Sequence, residues 1–266
     1  MRERNARQIL GAKLAAADAE TRALVTGEDE RHHYGDLDLD DPGLQQVARS
    51  FTLDRIGFIR EIFPHGVSGT VVDLGDTNGI FLRSLGKDGI GVNLSDPAVR
   101  SLRARGLEAL KADIGFLPFR DDSIDVVFLF ETLEHVPDPI RVLQEIGRVC
   151  KRSLVLSIPL VGKTTIHGER HDPGRPAAQN HIFEFSVRDF GEVVTHTPFG
   201  IERDRVATVL GSGGRLLDRL VIFLWSIFRE PDMFCGCFRR FYLCHLVRKS
   251  PSPGDPVKGR LVPRCR

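Results

Sequence analysis

The chain of 266 residues carries 37 Lys and Arg against 36 Asp and Glu, a formal net charge of +1. That near balance argues against a protein built to coat nucleic acid or an anionic membrane. With 41% hydrophobic and 27% charged residues the composition is that of a globular protein with a full core, which excludes disorder throughout.

No apolar run follows the charged start, so no secretory signal is expected. Residues 5–25 read as a polar helix rich in Ala and Leu. Seven acids against one Arg between Glu28 and Asp41 mark a solvated loop. From Gln45 to Phe63 the apolar residues Val47, Phe51, Ile56, Ile59 and Phe63 fall near helical spacing, and Pro64 to Gly66 ends that helix. Together residues 1–66 form a helical N-terminal extension.

From Thr70 onward short β-branched runs alternate with helical patterns, the mark of βαβ units and a parallel sheet. Strands are expected at Thr70–Leu74, Ile90–Leu94, Glu108–Lys111, Ile124–Phe130 and Ser153–Ile158, with helices at Gly79–Leu85, Pro97–Arg105 and Pro139–Val149. The run Val126 to Phe130 is apolar on both faces, as a central strand must be. A helix over Ser186–Thr195 and strands over Gly200–Val209 and Phe241–Val247 complete a main unit spanning 67–249. An apolar helix is expected within about 212–230, its core Leu216–Phe228. The run Leu220 to Phe228, closed by Arg219 and Arg229, falls short of the ~20 residues that cross a bilayer. It reads either as a helix packed on the domain or as an interfacial helix giving peripheral membrane contact. Residues 250–266, with four prolines and scattered Lys and Arg, read as a disordered basic tail. Five cysteines, Cys150, Cys235, Cys237, Cys244 and Cys265, are odd in number and mostly late in the chain. No disulfide framework is expected, and the location expected is cytoplasmic.

The segment Val71 to Gly79 places an apolar strand, the acid Asp73 and two glycines, Gly75 and Gly79, ahead of a helix. Glycine lets a ligand approach the backbone, and in an open α/β sheet this is where a nucleotide-like ligand binds. Asp73 would repel a diphosphate but suits an ammonium group, which points to S-adenosylmethionine. Asp76 is expected to face solvent.

Several ordered segments then carry a resemblance: Val72 to Gly75 with Gly79, Gly91 to Ser95, Lys111 to Asp113, Leu117 to Phe119, and Phe130 to Asp138. Over residues 70–190 the chain resembles the class I SAM-dependent methyltransferases (methyltransferase type 11-like). The resemblance implies a Rossmann-like α/β fold, a mostly parallel seven-stranded sheet flanked by helices. It implies that Asp73, Gly75, Thr77 and Gly79 surround the methionine part of the cofactor, that Asn93 and Leu94 adjoin the ribose, and that Asp113 and Ile114 hold the adenine. Two positions depart from the family: Asn93 stands where an acid binds the ribose hydroxyls, and Thr77 where a glycine is usual. They motivate the reading of a SAM-binding protein without catalysis.

Glu131, Glu134 and His135 follow the fourth strand. If Glu131 begins a helical turn, the other two fall on its side. This Glu-x-x-Glu-His pattern resembles that of the ubiquinone-biosynthesis O-methyltransferases and of the small-RNA 2′-O-methyltransferases, and the stretch Asn180 to Phe190 resembles the latter. The second likeness implies a metal set of Glu131, Glu134, His135 and His181 for a divalent cation, Mg or Mn. Without a metal, Glu131 or His135 serves as the general base. The function expected is O-methylation of a small-molecule acceptor, the alternative being a metal-dependent RNA 3′-terminal 2′-O-methyltransferase, against which the near-neutral charge stands. His32, His33 and Tyr34 beside the acidic loop, Arg170, His171 and Arg175 in the loop after the fifth strand, and Cys235 with Cys237 and Cys244 read more simply as surface polar groups and unliganded thiols.

Overall fold

The computed structural model describes residues 10–27, 42–86, 88–166, 181–210 and 238–249. Three helices come first: α1 over residues 10–16, α2 (Ala19–Gly27) and α3 (Pro42–Ile62). The single N-terminal helix expected over 5–25 is thus broken. Asp18 is the cause: its carboxylate accepts from the Thr21 N–H at 2.8 Å and from the Thr21 hydroxyl at 3.0 Å, so a second helix starts there.

The alternation read from Thr70 follows as β1 (Val71–Leu74), α4 (Ile80–Ser84), β2 (Ile90–Asn93), α5 (Asp96–Ala104), β3 (Glu108–Lys111) and β4 (Ile124–Phe130). After a 3₁₀ turn at Leu133–His135 come α6 (Pro139–Val149), β5 (Cys150–Pro159), β6 (Thr165–Ile166), β7 (Phe183–Glu184), α7 (Val187–Thr195), β8 (Phe199–Leu210) and β9 (Phe238–Arg248). Local chemistry sets several of these boundaries. Asp138 caps α6 by accepting from the Arg141 N–H at 3.0 Å, with Pro139 in the first turn, and Ser186 caps α7 through the Asp189 N–H at 3.1 Å. In α6 the buried Val142, Leu143, Ile146 and Val149 recur at helical spacing, which fixes the face turned to the sheet.

Seven strands form one sheet in the order β3-β2-β1-β4-β5-β9-β8. The first five are parallel neighbours, whereas β9 runs antiparallel to both β5 and β8. This is the mostly parallel seven-stranded sheet expected. A two-stranded ribbon of β6 and β7 was not foreseen, because strands of two residues show no periodicity.

Two cores flank the sheet. Val72, Leu74, Val127, Leu129, Leu154 and Leu156 pack with residues of α6 and α7 on one face. On the other, Val71, Val126, Phe128, Phe130 and Val155 pack with Leu10, Val25, Ile56, Phe58 and Ile59 of the N-terminal helices. The strand alternation places Asp73 on this second face, under α3. Among the described residues no helix is long and apolar enough to cross a membrane. The acidic stretch 28–41 with its histidines, the Arg170 to Arg175 loop, the apolar segment 216–228, Cys235, Cys237 and the tail 250–266 lie outside the described residues.

Candidate active site

The C-terminal ends of β1 and β4, central and adjacent, open the crevice in which a doubly wound sheet binds its ligand. The loop after β1 is built from within. Gly75 and Gly79 both take left-handed backbone, with φ of 82° and 69°. Three side chains hold the loop. Asp76 accepts from the N–H groups of Asn78 at 3.1 Å and Gly79 at 2.7 Å, and Asn78 accepts from Ile80 N–H at 3.1 Å. Asn93, at the end of β2, donates to the carbonyls of Gly75 at 3.1 Å and Asp76 at 2.8 Å, and accepts from Ser95 N–H at 2.8 Å.

Asp76 therefore does not face solvent as expected: it is 5% exposed, tucked under the loop whose N–H groups it takes. Burial pushes its carboxyl up to about 6, against the opposing pull of those N–H groups. Asp73 is buried as well, and one of its oxygens has no hydrogen-bond partner. Burial, then the neighbouring Asp76 charge, holds the Asp73 carboxyl well above its usual range, while Arg55 opposes the shift. A buried carboxylate atom without a partner, beside backbone stripped of side chains, fits the ammonium end of an adenosyl amino acid. Leu94, exposed, follows the end of β2; Asp113, which accepts from Gly115 N–H at 2.8 Å, and the buried Ile114 follow the end of β3. Thr77 is half-buried within the loop.

Arg55 was missed. It is the one charged side chain on the buried stripe of α3, four residues after Phe51 and four before Ile59, a spacing that could have revealed it. Its guanidinium is 1% exposed, lies over the rings of Phe51, Phe130 and Phe241, donates to the Ser157 hydroxyl at 3.0 Å and meets Glu131 at 3.2 Å. α3 thus supplies the cation that faces the strand-end carboxylates.

The segment after β4 divides in two. Glu131 does not begin the helical turn. It has φ of 45°, a left-handed backbone that costs a non-glycine residue about 1–3 kcal/mol and marks a constrained position. Its N–H bonds to the Ser157 carbonyl at 3.0 Å, and its carboxylate accepts from the Ser157 hydroxyl at 2.7 Å beside Arg55. Burial raises its pKa, opposed by Arg55. Glu134 and His135, in the 3₁₀ turn, are directed elsewhere. The ribbon of β6 and β7 brings His181 to them: Ile182 N–H bonds the Glu134 carbonyl at 2.7 Å, and the His135 and His181 rings lie 4.9 Å apart. One ligand atom each from Glu134, His135 and His181 fall within 4.8 Å of one another, and among the described residues this is the set that metal-site geometry selects; Glu131 is outside it. Both Glu134 oxygens are buried without a hydrogen-bond partner. Burial, then the Glu131 charge, keeps this carboxyl well above its usual range. His181 Nδ1 lies 3.0 Å from Glu184 on β7, which orients the ring.

Between the two halves Thr132 packs against Gly75, so closely that a side chain at Gly75 would overlap its hydroxyl. The glycine loop therefore touches the segment that leads into the 3₁₀ turn of Glu134 and His135.

With that geometry in place, residues 72–157 match a protein family described as Methyltransferase domain. Among curated proteins, this chain is 28% identical over 149 residues to the ubiquinone biosynthesis O-methyltransferase of Paracidovorax citrulli, covering 52% of this chain and 60% of that protein. It is 33% identical over 89 residues to a probable S-adenosylmethionine-dependent methyltransferase of Mycobacterium tuberculosis, covering 33% of this chain and 32% of that one. The chain thus spans less than two thirds of the length of either relative. Among solved structures, the YcgJ protein of Bacillus subtilis shares the fold at TM-score 0.52 and 13% identity, over 74% of this chain and 99% of that one. The [4+2]-cyclase SpnF shares it at TM-score 0.52 and 15% identity, over 75% and 82%. One domain architecture thus carries unlike chemistries, so activity has to be argued from the site.

Proposed function

We propose that the methyltransferase domain transfers the sulfonium methyl of S-adenosylmethionine to a hydroxyl oxygen of a small molecule. The observation that carries this reading is the contact of Thr132 with Gly75, which joins the glycine loop to the segment bearing Glu134 and His135. The donor's ammonium end would lie toward Asp73, its adenosine toward Leu94, Asp113 and Ile114. Arg55 balances the buried carboxylates of Asp73 and Glu131, keeping the crevice receptive to a cation without leaving it strongly anionic. Most of the rate would come from holding the two partners at attack distance.

In the reaction the acceptor oxygen bonds to the methyl carbon as the carbon–sulfur bond breaks. S-adenosylhomocysteine leaves, and the hydroxyl proton passes to a base. Glu134 or His135, neither of which shares the Ser157 bond that holds Glu131, would take that proton. Glu131, tied to Arg55 and Ser157, is assigned to positioning. Glu134, His135 and His181 also fit a divalent cation, because the two bare Glu134 oxygens need a partner. Two imidazoles and one carboxylate suit Mn better than Mg, which prefers an all-oxygen shell. Such an ion would lower the pKa of the acceptor hydroxyl.

Calorimetric titration with S-adenosylhomocysteine tests the donor, and release of that product across a panel of phenols and alcohols tests the reaction. No binding at millimolar ligand would overturn the proposal, whereas binding without product from any acceptor would favour a non-catalytic binder. Elemental analysis of wild type beside Glu134→Ala and His181→Ala tests the ion, and equal metal content in all three would remove it. The approach of His181 to Glu134 and His135 also favours a second reading, an RNA-terminal 2′-O-methyltransferase; RNA affinity that falls steeply with salt would raise it. Peripheral membrane contact through 216–228 rests on the apolar run alone, and flotation with anionic vesicles tests it.

A further inference from the structure

In doubly wound sheets an acid roughly 20 residues past the glycine loop, at the end of β2, accepts from the ribose hydroxyls. Asn93 holds that place and is already engaged. A carboxamide has two N–H donors, and both are taken, by the carbonyls of Gly75 and Asp76. Its oxygen accepts from Ser95 N–H. Residue 93 thus closes the glycine loop from the β2 side while Asp76 closes it from within. Asp76 takes the Asn78 and Gly79 N–H groups through its carboxylate while its own carbonyl accepts from Asn93, so both ends of the residue are held. A carboxylate at 93 would bring no donor to the two carbonyls and would set a second negative charge beside a buried one. An amide is what this loop admits.

We propose that Asn93 and Asp76 form a two-sided brace that takes the β2 side chain out of the charged, two-hydroxyl grip on the ribose, leaving residue 93 at most one free lone pair on its amide oxygen, so the chain takes its adenosyl donor with little discrimination at the ribose hydroxyls. This rests on the donor proposed above. Discrimination among donors then falls to the two ends, to Asp73 and Arg55 at the amino acid and to Leu94, Asp113 and Ile114 at the base. The chain should accept donors altered at the ribose that a β2 carboxylate would reject.

Calorimetry on the wild-type chain compares S-adenosylhomocysteine with its 2′-deoxy and 3′-deoxy analogues. Affinities within about threefold of one another are expected, against the tenfold or greater loss that follows when a charged hydrogen bond to a hydroxyl goes unmade. A tenfold loss for either analogue overturns the inference. No binding of S-adenosylhomocysteine itself would instead overturn the donor, which keeps the two failures apart. Asn93→Asp supplies the second arm: it should lower thermal stability and weaken S-adenosylhomocysteine tenfold or more, and Asp76→Asn in the same chain should restore part of both. Tighter binding by Asn93→Asp, with new discrimination against the deoxy analogues, would overturn the brace. Should Asn93→Asp not fold, the wild-type comparison still decides.

Discussion

The loop after β1 and the loop after β4 sit side by side yet are built in opposite ways. In the first, Asp76, Asn78 and Asn93 turn their polar groups onto the loop's own backbone within about one strand of sequence. In the second, Glu131 reaches Arg55 and Ser157, and Glu134 and His135 meet His181, partners distant in the chain. A self-braced loop shapes a ligand's bed, whereas a loop held by distant elements can leave a whole buried carboxyl group without a hydrogen bond. Both Glu134 oxygens are in that state.

The sharpest way to break the second arrangement is Arg55→Met. Removing one partner of a buried ion pair strands the other, so a loss of about 3–5 kcal/mol is expected in urea denaturation. Adding Glu131→Gln should recover part of it, and a loss no larger than a surface substitution gives would refute the pairing. Next comes the acid inside the first loop. The folded chain holds a proton on Asp76 up to about pH 6, while the unfolded chain releases it near the ordinary 3.8. Between these values the folded state binds more protons, so stability falls as pH rises through that window, by on the order of 3 kcal/mol. Asp76→Asn should flatten this slope in denaturation midpoints measured from pH 4 to 7, and an unchanged slope would place the titration elsewhere.

Gly75→Ala sharpens the boundary between the loops. The left-handed backbone costs roughly 1–2 kcal/mol, and overlap with Thr132 adds to it. Thr132→Ala should relieve the overlap and leave the backbone cost, so the double variant should stay less stable than Thr132→Ala alone. Smallest is Ser186→Ala, which removes the cap of α7 next to the ribbon bearing His181 and should cost about 1 kcal/mol by thermal melting.

The same contrast explains what was legible. The strands and the glycine loop follow from neighbours in sequence, and their positions stand within a few residues of those expected. Asp76 was misjudged because a polar residue in a loop ordinarily finds water, whereas here the loop's own N–H groups replace it. Arg55 is hard to single out because it is one of five charged residues of α3, the others being Arg49, Asp54, Arg60 and Glu61, and only its spacing from Phe51 and Ile59 sets it on the buried stripe. Glu131 was grouped with Glu134 and His135 on the premise of a helical turn, and the left-handed backbone at 131 separates them. His181 came from resemblance alone, since no pattern in two-residue strands announces that a ribbon will fold back onto the 3₁₀ turn.

The place of β9 between β5 and β8 has a consequence for synthesis. As the chain leaves the ribosome, the open side of β5 and the side of β8 that β9 will cover stay unpaired until residues 238–248 emerge and slide between them. Unpaired apolar strand edges invite aggregation. The nascent protein should therefore lean on chaperones until that last strand arrives, however firmly its first five strands have already set.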